Sequence, residues 1–165
     1  MTYKKQKGFT LVELLVVIAI IAVLAGALLI AINPQALIQK SRDSKRLQDM
    51  DALVKALNLS LADSEVVLKA AGAGNSATGT QKVDGAGWVN FDIPTGKTGL
   101  AKYIAALPVD PLNTGTNVYT FASTLTGFEI NAVLEHLDNT AKMTTDGGND
   151  PARYEVGTSL VIISP

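Results

Sequence analysis

At 165 residues the chain is long enough for one folded domain with a modest core plus an anchoring extension. It contains no cysteine, which excludes disulfides, thiolate metal sites and thiol nucleophiles. The formal net charge is −1; without the three lysines ahead of Phe9, 11 basic and 15 acidic side chains leave −4, which gives no reason to expect a nucleic-acid groove on the folded surface.

The chain opens on a basic cluster, Lys4-Lys5-Gln6-Lys7-Gly8, followed by Phe9-Thr10-Leu11-Val12-Glu13 and an apolar run. Residues 14–32 carry no charge. As a helix they span about 28 Å, close to the hydrocarbon thickness of a bilayer. Lysines stay cytoplasmic, so the rest of the chain is expected outside. A cleaved secretory signal is one alternative, with Ala25-Gly26-Ala27 as its small-residue site, but the run stays apolar beyond Ala27 and holds Glu13. A plain single-span anchor is another, and it leaves Glu13 without a reason: a carboxylate there costs about 2.5–3.5 kcal/mol on insertion scales.

The stretch Gly8-Phe9-Thr10-Leu11-Val12-Glu13, with its basic leader and following apolar helix, resembles the processing site of type IV pilins and of the pseudopilins of type II secretion. The resemblance implies that residues 1–8 are a leader cut after Gly8 by a membrane prepilin peptidase, which also N-methylates the new terminus, Phe9. It implies that Glu13 is the assembly residue and that the chain is structural rather than an enzyme. The partners implied are further copies of the chain, the peptidase, an inner-membrane platform and an ATPase motor. The precursor would sit in the cytoplasmic membrane and the product in an extracellular pilus serving adhesion, twitching motility or DNA uptake. Direct contact with DNA stays open, as does the alternative of a major pseudopilin in a secretion or competence system.

Residues 9–33 form the expected transmembrane or filament-core helix, and residues 34–69 an amphipathic continuation. Gly26 and Pro34 are its weak points, through lost helix propensity and a missing backbone donor. Either the helix unwinds between them or it bends gently at the proline. Leu47, Met50, Leu53, Val54, Leu57 and Leu61 recur at helical spacing, a seat for the globular part. The mixed-charge run from Lys40 to Arg46 is either a solvated face or a set of ion pairs between subunits. Asn58-Leu59-Ser60 matches a glycosylation sequon on a helix, where chance is the better account.

Residues 70–165 form the expected globular domain. Residues 70–87, with five glycines, predict a flexible exposed loop. By the resemblance, Ser76, Thr78 and Thr80 are candidate O-glycosylation sites. Residues 88–93 predict a short strand and residues 99–107 a helical turn. Leu107-Pro108-Val109-Asp110-Pro111 breaks regular structure and is similar to a motif of major pseudopilins and disulfide-free pilins. Residues 117–123 and 127–135 predict a hairpin, with Phe128, Ile130, Ala132 and Leu134 facing in and Glu129, Asn131, Val133 and Glu135 facing out. Residues 154–163 predict a further strand. The fold class expected is α+β: a long N-terminal helix packed on a three- or four-stranded antiparallel sheet. Before that last strand, Asp146, Asn149 and Asp150 are candidate Ca²⁺ ligands, suggested by oxygen donors around glycines and by a Ca²⁺ loop in major pseudopilins. The EF-hand spacing is missing, so polar turn chemistry is the simpler reading and no cofactor is required. His136 is the chain's one histidine and is expected as a surface side chain.

Overall fold

The structure is a computed structural model that describes residues 8–165. Lys4, Lys5, Lys7 and the rest of the expected leader before Gly8 lie outside the described residues. The chain divides into two compact units, Met1–Ile38 and Gln39–Pro165.

In the first unit, helix α1 runs from Leu11 to Ile32. Within it, Leu11–Leu29 has a mean hydropathy of 2.9 and none of it is buried, so its apolar surface is uncovered on every side. The helix ends at Asn33, which is left-handed (φ 45°). Helix α2, Pro34–Ala62, begins immediately after. Asn33 serves both ends: it closes α1, and its Oδ1 accepts the Ala36 amide at 3.3 Å. Pro34 occupies the first position of a new helix, where a missing N–H costs nothing. The interruption therefore falls where the sequence places it, at the boundary between residues 33 and 34, while Gly26 lies inside continuous α1.

In the second unit, α2 contributes Met50, Leu53, Ala56 and Leu57 to the core. The helix stops seven residues short of its expected end. Ser64 is left-handed (φ 53°) and the Glu65 amide donates back to the Ser60 carbonyl at 2.8 Å, a closure that satisfies otherwise orphaned carbonyls. A two-stranded sheet follows from β1 (Val67–Leu68) and β3 (Phe91–Asp92). A four-stranded antiparallel sheet is built from β2 (Gly72–Asn75), β4 (Thr120–Ser123), β5 (Phe128–Ala132) and β6 (Tyr154–Gly157), in the order β2-β4-β5-β6. A 3₁₀ turn covers Gly99–Lys102, another Leu137–Asn139, and α3 covers Thr140–Thr145. The α+β class and the small antiparallel sheet thus match the expectation.

Phe121, Phe128 and Ile130 pack with Trp88, Phe91, Leu107 and Tyr119 against the α2 stripe. Each large apolar side chain so buried is worth about 1.5–3 kcal/mol, more than helix propensity supplies. Three local expectations are corrected here. The glycine-rich stretch is not a free loop: residues 72–75 form an edge strand, and a β-carbon at Gly74 or Gly79 would overlap Trp88. Its outer part, residues 77–86, is mostly exposed. The strand expected over residues 154–163 ends at Gly157. Finally, all five residues of β5 are buried, so Glu129 and Asn131 do not face water.

Candidate functional site

Thr10 is extended (φ −83°, ψ 153°), which ends the coil that carries Gly8 and Phe9 and starts α1. Its hydroxyl accepts the Glu13 amide at 3.2 Å. Glu13 Oε2 accepts in return from the Thr10 amide and from the Thr10 hydroxyl, both at 2.8 Å. This reciprocal box satisfies two of the donors that a helix start leaves unpaired. It also holds Glu13 in the first turn, where the positive end of the helix dipole favours a carboxylate. Oε1 takes no part in the box. Gly8 and Phe9 precede it on exposed backbone, and the Phe9 ring is 88% exposed. The junction at Gly8, the ring at Phe9 and the acid at Glu13 therefore sit at the mouth of an uncovered apolar helix.

The charged run along α2 does something the sequence did not reveal. Arg46 is fully buried, with Nε and Nη2 on the two Asp110 oxygens at 2.6 and 2.9 Å and Nη1 on Asp43 at 2.9 Å. Asp43 also accepts from the Glu135 and His136 amides and from Asn139 Nδ2. Arg42 grips Glu135 through two nitrogens. Burial alone would depress Arg46, but the hydrogen bonds to Asp110, Glu135 and Asp43 outweigh it and hold the guanidinium charged. The Arg42 contact, opposed by burial and reinforced by Arg46, holds the Glu135 carboxyl below its usual range. Arg42, Asp43 and Arg46 are thus paired within the chain, whereas Lys40, Ser41, Ser44 and Lys45 of the same run are exposed, as on a solvated face. The pairs within the chain also account for the proline-bounded motif: its Asp110 clasps Arg46 and takes the amides of Leu112 and Asn113.

The other candidates are placed as follows. Ser76 is buried; its hydroxyl donates to Asn113 Oδ1 at 2.6 Å and accepts the Tyr119 amide at 2.9 Å, so it presents no free hydroxyl. Thr78 and Thr80 are exposed. Ser60 of the sequon is buried and donates to the Leu57 carbonyl. Asp146 gives one oxygen to the Gly148 amide and the other to the Glu155 amide. Asp150 accepts from the Ala152 amide and faces Arg153 at 3.7 Å. The oxygens of Asp146 and Asp150 thus accept backbone amides of their own loop. Among the described residues, no group of three or more His, Cys, Asp or Glu side chains is gathered as a metal site would need. His136 Nδ1 accepts the Asp138 amide.

Residues 3–29 match the family model of the prokaryotic N-terminal methylation motif. The match spans Gly8, Phe9, Glu13 and most of α1, and includes no part of the second unit. No curated protein and no solved structure matches the chain. The chain therefore carries the N-terminal methylation motif of prepilins, followed by a helix long and apolar enough to cross a membrane. The motif supports a membrane-anchored precursor of the pilin or pseudopilin kind.

Proposed function

We propose that the chain is the structural subunit of a type IV pilus. The precursor is held in the cytoplasmic membrane by α1, cut between Gly8 and Phe9 by the prepilin peptidase, and N-methylated on Phe9. An assembly platform and its ATPase motor then draw it into an extracellular filament. The observation that carries this reading is the pairing of an uncovered apolar helix with one carboxylate at its mouth. In lipid, α1 is covered by acyl chains; in a filament it is covered by α1 of other copies. Exchanging one apolar surrounding for another has little net hydrophobic cost. Glu13 supplies register. Cleavage gives Phe9 a cationic amine, and a neighbouring copy shifted along the axis can bring that amine to Glu13 and neutralise it. Until then Thr10 occupies Glu13 Oε2, so the carboxylate is hydrogen-bonded before and after assembly.

A second reading, a pseudopilin forming a short periplasmic fibre, is favoured by the Asp110–Arg46 clasp. It secures a cysteine-free head and gives a structural reason for the motif shared with major pseudopilins. The exposed outer part of the glycine-rich stretch favours a displayed pilus surface.

Mass spectrometry of the mature chain should find methylated Phe9 as the first residue; an intact Met1 would sink the proposal. Electron microscopy of producing cells should show long surface fibres. They should be lost in Glu13→Ala while the chain stays in the membrane, and fibres at wild-type density in that variant would overturn the role given to Glu13.

A further inference from the structure

We propose that Glu129 and Glu155 share a single proton, and that this proton closes residues 158–165 and the loop 146–150 over the sheet, so that alkaline conditions release them. Register puts the two acids together. Asn131 lies opposite Glu155 and Glu129 opposite Gly157, so Glu129, Asn131 and Glu155 project from the face opposite Ile130. Their side chains are fully or almost fully buried. Glu129 Oε2 accepts the amides of Ile162 and Ile163 at 2.7 and 3.0 Å. Glu155 Oε2 accepts the Asp150 amide at 2.9 Å. Each acid therefore grips one covering segment with one oxygen. The other two oxygens, Glu129 Oε1 and Glu155 Oε1, are buried without a partner.

Two carboxylates buried at diagonal positions on one face of the sheet, each with an unpartnered oxygen, are costly to keep ionised together. A proton on one makes a donor for the other and satisfies both free oxygens at once. The groups packed around them add no compensating cation. Asp146 and Asp150 of the loop contribute further negative charge, Arg153 is spent on Asn131 Oδ1 at 3.1 Å and on Asp150, and Lys142 of α3 borders the open groove beside Glu155. Burial, opposed by the Asp150 amide and reinforced by the contact with Glu129, pushes Glu155 up to about 7. Near neutrality the proton is thus poised to leave. Both acids would then be charged, and although each amide bond to them strengthens, the repulsion and lost hydration of two buried charges are relieved only by admitting water under the segments that cover them.

The test is amide hydrogen exchange of the full-length protein in detergent micelles at about pH 5.5 and about pH 8.5, corrected for intrinsic rates. The Ile162 and Ile163 amides should lose protection by about tenfold or more at the higher pH while β4 and β5 keep theirs. Glu155→Gln, which donates to Glu129 at either pH, should keep the segment closed at both. Equal protection of the wild type at the two values, or wild-type pH dependence in Glu155→Gln, would overturn the proposal. Should that variant not fold, isotope-edited infrared spectra of the wild type decide. A protonated glutamic acid band present at about pH 6 and gone by about pH 8.5 is expected, and its absence at the lower pH overturns the latch.

Discussion

At Gly74 a β-carbon would overlap the carbonyl oxygen of Trp88, a backbone atom that has nowhere to go. At Gly26, in the middle of α1, an added β-carbon would meet nothing within 4 Å. The two glycines look alike in the sequence and differ entirely in what they permit. Gly74→Ala should destabilise the second unit by about 1–3 kcal/mol through overpacking. Gly26→Ala should leave that unit unchanged and favour α1 by up to about 1 kcal/mol. Thermal unfolding of the two variants in detergent, followed by circular dichroism, checks both. A Gly74→Ala melt that overlays the wild type would mean that β2 does not sit against Trp88.

Among the elements, α2 is the one the sequence shows only in part. Its apolar stripe is legible because 3.6-residue spacing survives in a linear reading, and Met50, Leu53 and Leu57 are buried as expected. Its charged partners are not legible: Asp110 and Glu135 lie 64 and 89 positions beyond Arg46, and only the fold brings them to it. The same limit hid Glu129 and Asn131. Alternation along β5 identifies two faces, but whether the second face is wet depends on α3, the loop 146–150 and residues 158–163 lying over it. Glycines in residues 72–79 suggested mobility where the requirement is close backbone approach. The break between residues 33 and 34 was legible, though its cause is the left-handed Asn33 rather than the proline, which is compatible with a first turn. Arg46→Met tests the network directly. It strips the cation from two buried aspartates, and a loss of about 3–5 kcal/mol is expected in urea unfolding of the detergent-solubilised chain. A change below about 1 kcal/mol would show that Asp43 and Asp110 are held well enough by backbone amides alone.

Over the whole molecule, the acids with shifted titration set opposite slopes with pH. Glu135 is depressed by Arg42 and Glu65 by the Thr98 amide, so their contributions are full above the ordinary carboxylate range and are lost as pH falls through it. Glu155 is raised; its contribution is full below its unfolded value near 4.5 and is lost as pH climbs to about 7. Stability should therefore peak slightly above pH 4.5, decline toward 7 and then level off. In Glu155→Gln the decline should vanish while the acid limb remains, and melting temperatures across that range are the measurement. The N-terminal methylation motif was legible from the first thirty residues because it is written in one contiguous stretch. Trp88, the chain's single tryptophan, is 1% exposed and its indole N–H donates to the Pro108 carbonyl at 3.0 Å. The protein consequently carries its own fluorophore, with no second indole in the anchor to blur the signal. A red shift in its emission would report opening of the second unit in detergent or in membranes, without any label attached.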